Sequence, residues 1–490
     1  MNKINKIKEK IKNSIGKSQL SFLNHTKNYF IGNIATQALS FLSVPIFSRL
    51  LIPAEYGMVS VFTSVTQIIT IFLMLGFHSA VTRNYNEKDG EFPVFLGSVT
   101  IFLVVYNAAF IFVLYLLKEY LSKFFAISPA LFFLGCINAF LSVIITLYLY
   151  YLQASKKSKR YAVISFVKSA LILVVAAIWV IILSDERHPG RIYGMVAVNA
   201  AVLIFSIIKV IQIASFKYSW TKVKYALQYG VPLIPHIASG FILAQFDRLI
   251  INQLNGFESA GMYSFAYNVG MLMNVVVMSM NRSWLPIFYS KLREEKHKEI
   301  HNLVKSNSKI VLLIALGLIC FSKEMIYVLA DPKYYPSVSL VPIIVLGYVL
   351  VYFYTIYSNY AFYRKKTYLI SLNTIVACVV NIVLNYIYIP RYGYTAAAYT
   401  TLISYAVLYI LHFINTKLIL KESAPKVKNY SYSALIFAAL VGVFYIVTNF
   451  EIHWLLLIFF KILIVGVYAV YMFKDAIKNK IDKIELKIDM

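Results

Sequence analysis

Residues 48–62 read SRLLIPAEYGMVSVF, and residues 247–265 read DRLIINQLNGFESAGMYSF. Both place Arg-Leu near the end of an apolar run, then a short loop with a glutamate, then a glycine opening the next run. Pro53 fixes the turn in the first copy, and Gly57 starts a helix there with little steric cost. Two further echoes follow in the same order and at a nearly constant offset. QASKKSKRYAVISF (153–166) matches FYRKKTYLISL (362–372), and PGRIYGMV (189–196) matches YGYTAAAY (392–399). Three ordered matches predict a duplicated six-helix unit with two further helices after it.

The solvent around those helices follows from composition. Of 490 residues, 60% are hydrophobic and 14% charged, and the mean hydropathy is +0.70. A soluble domain carries about 25% charged residues, so this chain has too little polar surface to cover itself in water. Its apolar runs approach or exceed the ~20 residues that cross ~30 Å of hydrocarbon as a helix. The sequence therefore predicts an all-α, polytopic membrane protein of about fourteen transmembrane helices. We place them at 29–50, 57–80, 92–117, 130–151, 161–183, 192–213, 227–254, 260–285, 308–329, 338–362, 368–388, 396–419, 431–448 and 452–473.

Charge orients them. The net charge of +26 would suggest nucleic acid in a soluble protein, but lysine and arginine collect here in alternate loops, as they do on the cytoplasmic side of a membrane. KKSKR (156–160), RKK (364–366) and KLREEKHKEIHNLVK (291–305) fall on that side, while the external gaps are short and nearly neutral. Trp179 and Trp454 fall at outer interfaces, Trp220 and Trp284 at inner ones. Both termini are then cytoplasmic. The segment 1–28 is lysine-rich and lacks the apolar core of a secretory signal. The expected organisation is a basic segment (1–28), an N-lobe (29–213), a linker (214–226), a C-lobe (227–419), two further helices (420–473) and a cytoplasmic tail (474–490). Six spans per half is an even number, so the halves run parallel, an arrangement in which substrate binds between repeats that rock around it. Cys136, Cys320 and Cys378 all lie in apolar runs, which gives no disulfide framework and no metal spacing.

RLLIPAEYG, GFHSAVTRNY (76–85), the basic cluster before the fifth span and PRYGYTAAAYTTLISY (390–405) resemble the Wzx-type polysaccharide and O-antigen flippases of the multidrug/oligosaccharidyl-lipid/polysaccharide exporter superfamily. The likeness covers residue 29 to about 421. It implies a two-lobed transporter that moves undecaprenyl-pyrophosphate-linked oligosaccharide repeat units from the inner to the outer leaflet of a bacterial plasma membrane. It implies membrane lipids, a polysaccharide polymerase and a chain-length regulator as partners, and no catalytic residue.

Such cargo needs a wet, cationic, hydrogen-bonding path through hydrocarbon. Arg248, beside Asp247 inside the seventh span, either pairs with pyrophosphate or braces the helix end. Lys168 lies two turns into the fifth span and needs water, an acid or a lipid phosphate. Arg49, Arg83 and Arg282 lie nearer span ends, where snorkelling competes with a role in binding. Lys461 is mid-span in the last helix, near the lipid phosphate if that helix pair lines a groove for the lipid tail, as it does in the related lipid II flippases. Polar stripes at helical spacing mark a glycan path or helix packing: Asn33, Gln37 and Ser40; Ser60, Ser64 and Gln67; Asn138, Ser142 and Thr146; Tyr352 and Asn359; Asn381 and Asn385. Pro45, Pro232 and Pro235 interrupt the lead helix of each half, as gating hinges or as static kinks.

Three classes compete. A multidrug exporter, or an exporter of another lipid-linked precursor of the lipid II type, shares the expected fold, yet the first two spans hold no acidic residue for ion coupling. An integral-membrane glycan enzyme would need carboxylates or a long external loop. No phosphate-binding glycine loop or HExxH motif occurs, so neither cofactor nor metal is expected.

Overall fold

Proline decides where several helices begin. Pro53, Pro93, Pro129 and Pro189 all sit in first turns, where their missing N–H costs nothing. Ser128 caps one of these starts, its Oγ accepting from the Leu131 N–H at 3.3 Å. Glu55 caps another, accepting from the Ile52 N–H at 3.1 Å and the Arg187 N–H at 2.6 Å. The glutamate of the opening stretch thus ties the start of one helix to the start of another.

The computed structural model describes residues 17–87, 91–183, 185–450 and 452–488, with side chains from Gly32 to Lys474 apart from Asn33. The expected roles of segment 1–28, of Asn33 and of the tail beyond 474 lie outside those described side chains. Among the described residues every regular element is helical. Twelve stretches are long and apolar enough to cross a membrane, and Ile34–Leu50 adds a shorter apolar helix.

The chain divides into two compact units. The first, Met1–Phe241 with Gly256–Gly261, holds α1 (Lys17–Leu50), α2 (Pro53–Met74), α3 (Phe77–Glu87), α4 (Phe92–Leu116), α5 (Lys118–Phe125), α6 (Pro129–Ala154), α7 (Ser158–Ile182), α8 (His188–Ile211), α9 (Trp220–Gly230), a 3-10 turn (Val231–Leu233) and the start of α10 (Ile234–Gln245). Here α7 packs between α1 and α8, and α6 against α2 and α8. On its other face α7 exposes Val163, Val167, Leu171, Val174 and Ile178 at intervals of three and four, a stripe that only hydrocarbon solvates well.

The second unit is Ile242–Asn255 with Met262–Met490. It contains most of α11 (Asp247–Gly270), then α12 (Leu272–Arg293), α13 (His297–Cys320), α14 (Ser322–Leu329), a 3-10 segment (Pro332–Ser339), α15 (Leu340–Tyr363), α16 (Thr367–Tyr392), α17 (Thr395–Ile414) running into a π turn (Asn415–Ile419), α18 (Lys428–Thr448) and α19 (Trp454–Ile488). Its centre is α15, whose Tyr348, Tyr352, Tyr357 and Tyr360 are all buried. The last two helices are pinned to it by polar contacts. Tyr430 of α18 bonds the Tyr357 hydroxyl at 2.9 Å, and Lys461 of α19 bonds Glu324 of α14 at 2.6 Å.

Several expected spans differ in form: 57–80 is broken between Met74 and Phe77, where Leu75 and Gly76 take positive φ, and 260–285 contains the break between Gly270 and Leu272. The single helix placed at 227–254 is a series of shorter ones: a 3-10 turn holds Pro232, a helix starting at Ile234 carries Pro235 in its first turn, and a further break at Phe246 precedes α11. Likewise the span at 308–329 is α13 followed, after a break at Phe321, by α14. The repeat glycines meet inside the first unit: a Cβ on Gly57 would lie 1.9 Å from the Phe257 carbonyl oxygen, and one on Gly261 1.8 Å from that of Pro53. Only glycine permits that approach.

Candidate functional site

Polar side chains inside these helices do one of two things: they satisfy one another, or they line open space. The second unit shows the first behaviour. Asp247, at the start of α11, is 1% exposed. Its carboxylate accepts from Asn385 Nδ2 at 2.6 Å, the Tyr263 hydroxyl at 2.7 Å and the Thr401 hydroxyl at 2.6 Å. Asn385 Nδ2 also donates to Asn381 Oδ1 at 3.1 Å and its Oδ1 accepts from Thr400, while Asn381 donates to Thr401 at 3.2 Å. Three donors satisfy the oxygens of this buried carboxyl group. Arg248 therefore has no carboxylate as its hydrogen-bond partner. Its guanidinium donates to Gln245 Oε1 and lies 4.6 Å from the centroid of the Tyr267 ring, whose hydroxyl accepts from Tyr348 at 3.0 Å. Arg248 is 4% exposed.

Elsewhere in that unit, Tyr352 lies 3.4 Å from Ser308 Oγ, and Asn359 donates to Asn281 Oδ1 at 3.0 Å. Tyr352 and Asn281 line a void of about 10 Å³ together with Met280, Trp284 and Asn307. It has room for about one water.

The first unit shows the other behaviour. Thr63, Thr66, Gln67 and Thr70 of α2, with Asn138 and Ser142 of α6, line a cleft of about 390 Å³ closed on one side by Ile237 and Phe241. Three hydroxyls donate backward along their own helices: Thr63 to Ser60 O at 2.8 Å, Thr70 to Thr66 O at 2.7 Å and Ser142 to Asn138 O at 2.9 Å. Their oxygens keep lone pairs for a ligand to donate to. Asn138 is held from behind by Asn199, Nδ2 to Oδ1 at 2.7 Å. The Thr66 hydroxyl is buried and has no partner. Gln67 is exposed into this space, whereas Ser64 of the same stripe is buried and donates to Ser60 O at 3.0 Å. No lining residue is charged, and the volume suits a sugar ring or two.

The remaining candidates are dispersed. Lys168 is half-buried on α7, with no ion pair among the described residues. Arg49 and Arg282 are exposed. Arg83 lies outside the long spans, bonds Glu87 at 2.8 Å and covers the Tyr229 ring at 4.8 Å. Glu87 also accepts from the Tyr225 hydroxyl at 2.8 Å. Gln37 and Ser40 are exposed on α1, where Ser40 donates to Thr36 O at 3.1 Å. Pro45 lies inside α1, Pro232 in the 3-10 turn and Pro235 in the first turn of α10. Sequence reasoning passed over Thr63, Thr66 and Thr70, although their spacing around Gln67 follows one helix face. It also passed over Asn199, a lone amide in an apolar run, and Tyr263, Thr400 and Thr401.

Known proteins bear on this arrangement. The family described as polysaccharide biosynthesis protein matches residues 23–292, more than half of the chain. The chain is similar to Lsg locus putative protein 1 of Haemophilus influenzae, 22% identical over 407 residues that cover 79% of this chain and 96% of the relative. It is also similar to the probable low-salt glycan biosynthesis flippase Agl15 of Haloferax volcanii, 23% identical over 78% of this chain and 81% of the relative. Among solved structures it is similar to the lipid II flippase MurJ in an inward closed conformation, with a TM-score of 0.74 at 16% identity over 92% of this chain and 99% of that one. An inward-facing multidrug resistance transporter of the MATE family gives 0.65, at 16% identity over 79% and 96%. At such identities these structures establish the fold alone.

Proposed function

Because the chain belongs to the polysaccharide biosynthesis protein family, we propose that it carries undecaprenyl-pyrophosphate-linked oligosaccharide repeat units from the cytoplasmic to the outer leaflet of a bacterial plasma membrane, for O-antigen, capsule or a similar surface glycan. It does so by alternating access, without chemistry of its own and with both termini in the cytoplasm. The observation that carries this reading is the uncharged cleft of the first unit, whose hydroxyls and amides offer acceptors inside a hydrocarbon-solvated helix bundle. Helix packing explains polar residues that bond one another; it does not explain Gln67, exposed into this space beside the Thr63, Thr70 and Ser142 side chains. Sugar hydroxyls supply donors for such acceptors.

In this reading Gln67 with Thr63, Thr66, Thr70, Asn138 and Ser142 forms the glycan path of the first unit. Arg248 supplies charge for the pyrophosphate in the second. Its present partners, Gln245 and the Tyr267 ring, are neutral, so a phosphate displaces them at less cost than it would a carboxylate. Asp247 positions Arg248 from the neighbouring residue, and Lys168, Arg49, Arg83 and Arg282 extend the cationic path. Support comes from the family match and from a flippase relative that spans most of the chain.

The test uses the purified full chain in vesicles containing a labelled undecaprenyl-pyrophosphate oligosaccharide. A membrane-impermeant glycosidase reads how much substrate reaches the outer leaflet. Exposure faster than in protein-free vesicles, and slowed by Gln67→Ala, is the expected result. Exposure at the protein-free rate overturns the reading.

A further inference from the structure

The cations of the basic run KKSKR (156–160) do different things. Lys157 is occupied: its Nζ donates to the Tyr151 hydroxyl at 2.7 Å and covers that ring at 4.9 Å. Lys159 and Arg160 instead line a second cleft of the first unit, of about 480 Å³, together with Lys209 from the last turn of α8. Its walls are Tyr148, Val163, Ile164 and Phe205. No carboxylate lines this cleft, and none of its three cations has an ion pair among the described residues. Lys209 donates to the neutral Gln212 at 2.9 Å and lies 5.9 Å from the Phe205 ring.

Cations that snorkel reach for water separately, each along its own helix. Here two helix ends aim three of them into one concavity, where an anion relieves their mutual repulsion. The walls add a second requirement. Val163 and Phe205 are exposed apolar side chains on the hydrocarbon-facing surface, directly beside the cations. A soluble anion would satisfy the charges and leave those walls to solvent. A lipid satisfies both, with phosphate against the cations and its first methylenes along Val163 and Phe205.

We propose that this cleft binds a phosphate-bearing lipid by its headgroup. Two sources share that chemistry, the phosphodiester of an acidic phospholipid and the pyrophosphate of a polyprenyl carrier. The site stands or falls whether or not the chain moves a glycan, because binding is read without transport.

The experiment places the full chain in phosphatidylcholine nanodiscs containing photoactivatable phosphatidylglycerol in one arm and photoactivatable farnesyl pyrophosphate in the other. The expected result is crosslinking of at least one lipid to segments 156–164 and 205–212. Labelling should fall at least tenfold in the triple variant Lys159→Gln, Arg160→Gln, Lys209→Gln, with helicity and melting in phosphatidylcholine unchanged. The arm that labels more strongly identifies the source. Labelling of neither segment by either lipid overturns the proposal, as does undiminished labelling of the folded triple variant. Equal protection by sodium pyrophosphate alone overturns the lipid and leaves only an anion site. Should the triple variant not fold, the wild-type labelling map decides the case.

Discussion

The Asp247 cluster and the Thr63–Ser142 cleft are built from the same residue types, Asn, Thr and one longer polar side chain, on helices equally deep in apolar sequence. In the cluster the polar groups bond one another: three bond one carboxyl group, and their neighbours bond them. In the cleft the hydroxyls donate backward along their own helices and face open space with what is left. The contrast is one of partners. Asp247 supplies two acceptor oxygens around which neighbouring helices close; α2 and α6 bring no such centre to the cleft.

The largest effect that would break this contrast is in the cluster. Asp247→Ala strands the buried Tyr263, Thr401 and Asn385 donors, and should destabilise the chain by about 3 kcal/mol or more. Melting of the purified variant at the wild-type temperature would show that the network is not what joins those helices. Next comes Glu324→Ala, which leaves the buried Lys461 ammonium without its carboxylate at a cost of about 2–3 kcal/mol. Lys461→Met, which removes the charge and keeps the volume, should stay within about 1 kcal/mol of wild type in the same assay. Equal losses in the two variants would contradict the burial assigned to Lys461.

The cleft should behave the opposite way. Thr66→Val removes a hydroxyl that has no partner, so melting should hold or rise, while Gln67→Ala slows vesicle transport about fivefold, roughly 1 kcal/mol of lost binding. A Gln67 variant that melts early and transports normally would move the cleft into the same class as the cluster.

The smallest effect lies outside the spans. The hydrogen bond from Arg83, and then that from Tyr225, hold the Glu87 carboxyl below its ordinary range. A depressed carboxyl stabilises the fold above its unfolded pKa, and that contribution disappears as pH falls through the lower folded value. The melting difference between wild type and Glu87→Gln should therefore be present at pH 7 and gone in strong acid. A difference independent of pH would mean the Arg83 pair adds nothing, as many exposed pairs do.

How far the sequence discloses all this depends on the range of the interaction. Spans are legible because each helix must carry its own hydrophobicity: the fifth, placed at 161–183, is found at Ser158–Ile182. The breaks in the seventh are half legible, since Pro232 and Pro235 announce a disturbance and not its length. Partner choice is the part that local pattern does not contain. Ser64 and Gln67 lie on one stripe, yet Ser64 donates to its own helix and Gln67 faces the cleft. Asn381 and Asn385 look like a sugar-binding pair by spacing alone; the carboxylate that occupies Asn385 is 138 positions away. Glu324 is next to Lys323 in the sequence, yet its partner is Lys461, 137 positions away. Side-chain periodicity identifies a face, while what covers the face is set by elements distant along the chain.

The glycines at 57 and 261 carry a warning for anyone mapping this chain by random mutagenesis. With backbone atoms where a methyl group would have to go, almost any replacement at either position will register as a loss of function, alongside changes that touch the proposed cargo path. Sorting such hits by how much folded protein each variant yields, before ranking them by activity, is what will keep a crowded helix crossing from being mistaken for a sugar contact.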